Sequence, residues 1–386
     1  MAPFVCLCFV FFRRIVTHPS FSAPLPPLSP VRFLAFALAA AAAAGVYNIP
    51  TVPLRMHDGQ TYQMPVVGQG SCCGAYNISS WLSQGGIHID TSCDYGSQPT
   101  IAAAIAASGV PRSSLWITSK LNVESCATNM TQALYELVLD PLKMDYVDLL
   151  LIHHAGRWET DNNPHPPCFD ASAAGPAGNG TYYQCRLDTV VAFEALRAAG
   201  LIKAWGVSNW QVRDLQQMHD VYGYYPAINQ VGRALFLPVP RRASLSFRRL
   251  PSAGVPAQRA PSPAVSQIEH HPYWRESEVV AFCNRNGILV EAYAPVGDGD
   301  RSHMRDDPVF PPIAAAHGAT VGQVILAYDL ASGADIVIPR SATPQHQADN
   351  LNLFSPPIVL NQTEIAAIES AHPYSKVYHT DCQPWC

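Results

Sequence analysis

The chain has 386 residues, of which 48% are hydrophobic, and its formal net charge is −5. This length and hydrophobic content suit one large catalytic domain, and the weak acidic charge provides no basic field that would attract nucleic acid. We therefore expect a protein that acts on a small molecule. We also expect a monomer and no metal site.

Residues 1–50 have the features of a targeting leader. Residues 1–55 contain no Asp or Glu, and an apolar run at 33–46 follows Arg32 and ends in small residues. This pattern is typical of a secretory signal peptide, and the run is shorter than the roughly 20 residues of a membrane span. We expect secretion or a secretory lumen, with no stable membrane span once the leader is removed. An organelle address, plastid or mitochondrial, and a cytoplasmic enzyme are the alternatives.

The cysteines bear on the same question. The chain has eleven, including Cys168 and Cys185 around a long loop and Cys382 and Cys386 in the C-terminal tail, 376–386. Cysteines in loops and tails suit disulfides in an oxidising lumen, whereas free thiols would suit a cytosolic enzyme.

Strand patterns and helix patterns alternate along residues 51–375, which predicts βαβ units and a parallel sheet. A hairpin at 51–70, turning at Asp58-Gly59, precedes them. Helices are predicted at 131–139, 189–199, 276–286 and 321–331. Strands are predicted at 87–91, 115–121, 146–153, 202–208, 227–230, 288–294 and 336–339, with a short eighth at 358–360. This count predicts an α/β fold, a closed (β/α)8 TIM barrel with long loops.

Residues 231–267 interrupt this alternation directly after the fifth strand. They contain six arginines and no lysine, aspartate or glutamate, and they lack the periodicity of a core element. We expect an unstructured insertion. Its boundaries also fit a retained intron that is translated in frame. Introns begin with GT and end with AG; a valine codon begins with GT, and a glutamine codon can be CAG. A genuine loop insertion is the alternative.

Four ionisable residues lie at or after the ends of the first three predicted strands. Asp90 ends the first strand, Tyr95 follows it, Lys120 ends the second and His153 ends the third. Barrel active sites form at these carboxyl ends. A tyrosine is a weak acid, but a nearby ammonium lowers its pKa, so Lys120 would activate Tyr95 as an acid. Asp90 would hold Lys120, and His153 would orient a substrate carbonyl.

These motifs resemble those of the aldo-keto reductase family. The family's Asp-Thr-Ala-x-x-Tyr-Gly pattern corresponds to residues 90–96, its Thr-Ser-Lys to 118–120 and its strand ending in Ile-His to 145–153. Gly-Val-Ser-Asn corresponds to 206–209, and Ile-Pro-Lys-Ser to 338–341. The resemblance implies NADPH-dependent reduction of an aldehyde or ketone, with Tyr95 as general acid and Asp90, Lys120 and His153 in the roles given above.

The resemblance also implies cofactor contacts. Ser208, Asn209 and a glutamine would hold the nicotinamide carboxamide, and Tyr293 would stack on its ring. Two glutamines fit the fifth strand, Gln230 and Gln267, and we expect Gln230 to serve.

A second set of residues would bind the 2′-phosphate of NADPH. Arg340, Ser341 and Thr343 precede a predicted helix start, where a cation and hydroxyls favour a phosphate. By resemblance Asn350 would contact the adenine, and His346 stands where the family has arginine, which should weaken the preference for NADPH.

Two other functions compete with this one. A metal-dependent hydrolase would use His153-His154 and Glu269-His270-His271, but adjacent histidines on a strand point to opposite faces and would not both ligate one ion. A non-catalytic subunit that binds or senses NADPH, or an enzyme inactivated by the insertion, is the second alternative.

Overall fold

The computed structural model describes residues 47–72, 74–121, 130–154, 182–227, 229–230, 264–297 and 303–371. At 182–185, 229–230 and 264–269 it describes the backbone only. Residues 1–46 of the predicted leader, most of the predicted insertion, and the tail 376–386 lie outside the described residues. Cys168, Cys382 and Cys386 are therefore also outside them.

A β-hairpin precedes the main sheet, as predicted. Strands β1 (Thr51–Arg55) and β2 (Thr61–Pro65) pair antiparallel, with Thr51 opposite Pro65 and Arg55 opposite Thr61. Gly59 adopts a φ of 90° in the turn, a conformation that favours glycine, and the Asp58 carboxylate accepts the Gln60 N–H at 3.0 Å. The predicted hairpin extended to residue 70, whereas the second strand ends at Pro65 and Gln69–Gly70 belong to the main sheet.

The main sheet is parallel and closes into a barrel. Its neighbouring strands run in the order β3, β4, β5, β6, β7, β8, β10 and β11, with β9 also pairing with β7 and β10. A parallel bridge from Val67 to Val337 joins the two ends, and Gly70 N donates to Pro339 O at 3.1 Å. The strands are β3 (Gln69–Gly70), β4 (His88–Asp90), β5 (Trp116–Leu121), β6 (Val147–Ile152), β7 (Ile202–Ser208), β8 (Asn229–Gln230), β9 (Ala264–Glu269), β10 (Ile288–Tyr293) and β11 (Ile336–Ile338).

The predicted eighth strand at 358–360 is wrong. These residues are not in a strand, and the remaining barrel position belongs to Gln69–Gly70. Such a short strand leaves no alternating pattern to recognise in the sequence, whereas 358–360 is a compact apolar run.

Helices cover the outside of the barrel. They are α1 (Ile78–Ser83), α2 (Gln98–Ser108), α3 (Met130–Leu134), α4 (Asp140–Leu142), α5 (Tyr182–Ala198), α6 (Val212–Tyr222), α7 (Ser277–Arg285), α8 (Phe310–His317), α9 (Val321–Ala331), α10 (Pro344–Leu351) and α11 (Gln362–Ala371). A π-helical turn, Tyr135–Leu139, joins α3 to α4. Among the described helices none is by itself long and apolar enough to cross a membrane, and only the pair α8 and α9, bent by 92°, passes on length and composition.

The core lies between the strands and these helices. Every residue of β5 and β6 is buried. On the helix side, Phe193 of α5 packs edge-on against Trp205 of β7, with ring centroids 6.4 Å apart. Trp81 of α1 donates from its indole to the His88 carbonyl at 3.1 Å, which ties α1 to the first half of the barrel. This packing holds the strand ends in place for the site described below.

Two segments share the sixth position of the barrel, which was the fifth strand in the order predicted from the sequence. Gln230 of β8 and Gln267 of β9 both pair with Ser208, and Asn229 and Ser266 both pair with Val290. Strand β9 forms the longer ladder, six residues along β10. Residues 264–267, which the sequence assigned to the insertion, therefore form the start of this strand instead.

Candidate active site

The four predicted catalytic residues lie together at the carboxyl end of the barrel. Asp90 is the last residue of β4, Lys120 is the penultimate residue of β5, and His153 directly follows β6. The parallel register pairs Asp90 with Thr118 and Lys120 with Leu151, and the His153 N–H donates to the Leu121 carbonyl at 2.8 Å. The strand ends are thus at one level, as the sequence predicted.

Lys120 is held in a fully buried ion pair. Its Nζ lies 2.7 Å from Asp90 Oδ1 and donates to the Thr91 carbonyl at 2.9 Å, and its side chain is 0% exposed. Burial raises the pKa of Asp90, and the Lys120 ammonium opposes this change. Because a buried ammonium needs a negative partner, each of these two residues depends on the other.

Tyr95 lies between this ion pair and His153. Lys120 Nζ is 4.8 Å from the centre of the Tyr95 ring, on its face. The Tyr95 hydroxyl is 3.4 Å from His153 Nε2, and the two rings meet edge to face at 5.6 Å. The Lys120 ammonium thus faces the Tyr95 ring, and the His153 imidazole lies beside the Tyr95 hydroxyl. This arrangement is suited to proton transfer.

A short turn carries Tyr95 to this position. Cys93–Tyr95 form a 3₁₀ turn that Ser92 caps by accepting the Asp94 N–H at 3.3 Å. Gly96 ends the turn at a φ of 63°. Asp94 of this turn was not among the residues predicted from the sequence, and its Oδ2 lies 2.8 Å from His153 Nδ1. Its position next to Tyr95 was the available signal.

Two cysteines near the site are oxidised. Cys72, in the loop after β3, and Cys93, in the turn before Tyr95, are both disulfide-bonded. Cys283, on α7, is a buried thiol. Disulfides were predicted elsewhere in the chain, and the loop cysteine Cys185 is described by its backbone alone.

The residues assigned to the nicotinamide lie next to His153. Asn209 follows β7 with a φ of 63°, and its amide donates to the His153 carbonyl at 2.8 Å and to Ser208 Oγ at 2.9 Å. The Tyr293 hydroxyl, at the end of β10, donates to Asn209 Oδ1 at 3.4 Å. The predicted Gln230 and the alternative Gln267 occupy one register position opposite Ser208, so the strand order alone does not choose between them.

The residues assigned to the 2′-phosphate surround the N-terminus of α10. Thr343 is the N-cap and its N–H donates to Ser341 Oγ at 3.1 Å. His346 is exposed in the first turn and Asn350 is buried in the last one. Arg340 reaches the Ala75 carbonyl at 3.5 Å, and Gly74 passes so close that a Cβ there would clash with the guanidinium.

A second pair of ionisable residues is buried inside the barrel. His88 Nε2 is 3.6 Å from Glu291 Oε1, and both side chains are fully buried. Burial lowers the pKa of His88 to about 3, and burial raises the pKa of Glu291 well above its ordinary value. Burial thus favours the neutral form of each side chain, the imidazole of His88 and the carboxylic acid of Glu291.

The geometry of His153 and His154 differs from the one expected from the sequence, which placed adjacent histidines on opposite faces of a strand. His153 and His154 stack, with ring centroids 4.4 Å apart, and do not point to opposite faces, because they follow β6 and are not part of it. His270 Nε2 is 2.6 Å from Ser332 Oγ. Within the described part of the chain, no group of three His, Cys, Asp or Glu side chains converges as metal ligands.

Comparison with known proteins agrees with this geometry. The sequence profile of the Aldo/keto reductase family matches residues 78–256 and 246–373. "Aldo-keto reductase" of Mycolicibacterium vanbaalenii is 31% identical over 327 residues, which cover 83% of this chain and 91% of that protein. "Aldo-keto reductase family 1 member A1" of Rattus norvegicus is 30% identical over 317 residues, 78% of this chain and 83% of the relative.

The fold has solved counterparts as well. The crystal structure of an aldo/keto reductase from Brucella melitensis superposes with a TM-score of 0.59 and is 26% identical. The match covers 84% of this chain and 100% of that one.

Proposed function

Because this chain belongs to the aldo/keto reductase family, whose members are oxidoreductases of carbonyl compounds and generally use NAD(P)H, we propose that it reduces an aldehyde or ketone with NADPH. The observation that carries the proposal is the position of Tyr95. Its ring faces the buried Lys120 ammonium at 4.8 Å, and its hydroxyl is 3.4 Å from His153 Nε2.

Tyr95 is the proposed proton donor to the carbonyl oxygen. As the proton leaves, negative charge develops on the Tyr95 oxygen, and the buried Lys120 ammonium, which faces the Tyr95 ring at 4.8 Å, stabilises that charge. The ion pair with Asp90 at 2.7 Å keeps the ammonium in place. His153 borders the same hydroxyl, so a carbonyl oxygen within reach of Tyr95 is also within reach of the imidazole.

The polar groups at the barrel rim fit NADPH, reduced nicotinamide adenine dinucleotide phosphate. Ser208, Asn209 and one glutamine, Gln230 or Gln267, would supply the hydroxyl and amides that a carboxamide requires. Tyr293 would supply an aromatic face. Arg340, Ser341 and Thr343 at the α10 N-terminus supply a cation, hydroxyls and the positive end of a helix dipole for a phosphate. His346 and Asn350 extend this set towards the adenosine. When bound, the cofactor supplies the hydride that reduces the carbonyl carbon.

This proposal is tested by measuring turnover with a panel of aldehydes, in which the loss of NADPH absorbance reports its oxidation. Tyr95→Phe should lower kcat by about 10² to 10⁴, the usual contribution of a general acid, and should leave NADPH affinity nearly unchanged. NADPH binding by the wild type without turnover on any carbonyl would favour a non-catalytic, cofactor-binding subunit.

For the location of the protein we propose a secretory lumen or the cell exterior. The leader-like residues 1–50 support this, and so does the oxidised state of Cys72 and Cys93, because disulfides persist in oxidising compartments. Fractionation of expressing cells tests it. Enzyme in a cytosolic or plastid fraction would contradict it.

A further inference from the structure

The His153 ring has partners at both nitrogens. Nε2 faces the Tyr95 hydroxyl at 3.4 Å, whereas Nδ1 lies 2.8 Å from Asp94 Oδ2 and 3.2 Å from Ser92 Oγ. The Asp94 and His153 side chains are 11% and 9% exposed. The Asp94 contact is therefore short and mostly shielded from water, conditions under which a charge-assisted hydrogen bond is strong.

This contact determines where the imidazole carries its proton. A carboxylate only accepts hydrogen bonds, so Nδ1 must donate to Asp94. A neutral imidazole has a single N–H, and with that proton on Nδ1 the other nitrogen, Nε2, is an acceptor. In this form Nε2 competes with a carbonyl oxygen for the Tyr95 proton. Only the doubly protonated ring donates to Asp94 and to a substrate oxygen together.

We propose that Asp94 is a positioning residue for His153: its carboxylate keeps a proton on Nδ1 and favours a second proton on Nε2, which forms a hydrogen bond to the substrate carbonyl oxygen. This inference rests on the proposed carbonyl reduction. It extends the set of residues that prepare the carbonyl from Asp90, Tyr95, Lys120 and His153 to Asp94, which acts through the imidazole and does not touch the reacting atoms.

Several charged or titratable groups surround the His153 imidazole. They are Asp94 and Tyr95 of the turn, Asp90 of β4, Lys120 of β5, and His154, which stacks on the ring. Burial lowers the pKa of His153, the hydrogen bond and charge of Asp94 oppose this change, Lys120 adds to it, and Asp90 opposes it from a distance. Loss of the Asp94 charge should therefore lower the pKa of His153 further.

The pH dependence of kcat/KM for an aldehyde, measured on the full chain, tests the proposal. The wild-type value should fall as pH rises through the pKa of His153. Asp94→Asn keeps the shape of the side chain and removes its charge. It should move this decline to lower pH by about one unit and lower kcat/KM at pH 7.5 about ten-fold or more.

A matched control comes from the surface of the molecule. Asp306 and His303 form the same type of pair at 3.8 Å, but their side chains are 84% and 81% exposed. Asp306→Asn should leave the pH profile unchanged. An unchanged profile in Asp94→Asn as well would overturn the proposal.

A spectroscopic measurement separates this proposal from the proposed activity. In protein labelled with ¹⁵N-histidine, with His153→Gln used for assignment, Nδ1 of His153 should carry a proton at every pH, and the imidazolium should form at lower pH in Asp94→Asn. An unprotonated Nδ1 in the neutral wild type refutes the role of Asp94 whether or not turnover is found. Absence of carbonyl reduction with a protonated Nδ1 refutes the proposed function alone.

Discussion

Replacing Lys120 by methionine should damage both stability and activity, for two separable reasons. Methionine has nearly the length of lysine and no charge. In the wild type Nζ is 2.7 Å from Asp90 Oδ1, and both side chains are buried. Removing one partner of such a pair costs about 3–5 kcal/mol, because the remaining charge is left buried and uncompensated. The free energy of unfolding of an ordinary domain is about 5–15 kcal/mol, so the variant should be much less stable but still folded.

The pH dependence of this loss follows from the Asp90 carboxyl. Burial already raises its pKa, and the Lys120 ammonium opposes that change. In Lys120→Met the folded-state pKa of Asp90 should therefore rise further above its ordinary value of 3.8. An acid whose pKa is raised by folding is most favourable below its unfolded pKa, and its contribution is lost as pH rises through the folded value. The variant should be closer to the wild type at pH 5 than at pH 8.

The double variant Asp90→Asn/Lys120→Met separates the two effects. Without a carboxylate to leave uncompensated, it should recover about 2 kcal/mol or more of the unfolding free energy in urea. Its kcat should nevertheless remain low by about 10² or more, because no ammonium supports the Tyr95 oxygen. A double variant as unstable as the sum of both single variants would refute the explanation by a buried charge. Normal turnover would refute the role of Lys120.

Three further predictions concern other parts of the chain. Arg340→Ala should weaken the binding of NADPH by about 10- to 150-fold and the binding of NADH little, as measured by cofactor fluorescence titration. Equal losses of affinity for both cofactors would place Arg340 away from the phosphate. Burial raises the pKa of Asp335 from 3.8 to about 6, so the wild type loses stability as pH rises through this interval. Asp335→Asn should therefore be more stable above pH 6, by up to about 3 kcal/mol in urea unfolding, and an equal stability at pH 5 and 8 in both proteins would contradict this. Deleting 231–267 should leave a stable and more active enzyme, because Gln230 already pairs with Ser208 at the position of Gln267. In the full chain, protease should cut first within this segment, and equal activity of both forms with a resistant segment would show that it is a structured part of the enzyme.

The local pattern of the sequence predicted most of the barrel, and it predicted that four ionisable residues would meet at its rim. A buried parallel strand such as β6, with the sequence VDLLLI, is a short and mostly apolar run, so its end could be read directly from the sequence. Because the carboxyl ends of parallel strands lie at one rim, residues that follow these ends must meet there. Asp90, Lys120 and His153 therefore came together as expected, although their positions along the chain differ by dozens of residues.

Tertiary structure decided the features that depend on contacts between distant segments. The barrel closes through the bridge from Val67 to Val337 and through the two-residue strand β3, which has no period to detect. The contact of Asp94 with His153 depends on a capped turn and on the end of β6 arriving at the same place. A carboxylate in a loop has the same appearance in sequence whether it faces water or an imidazole, because its partner is set by packing and not by local propensity.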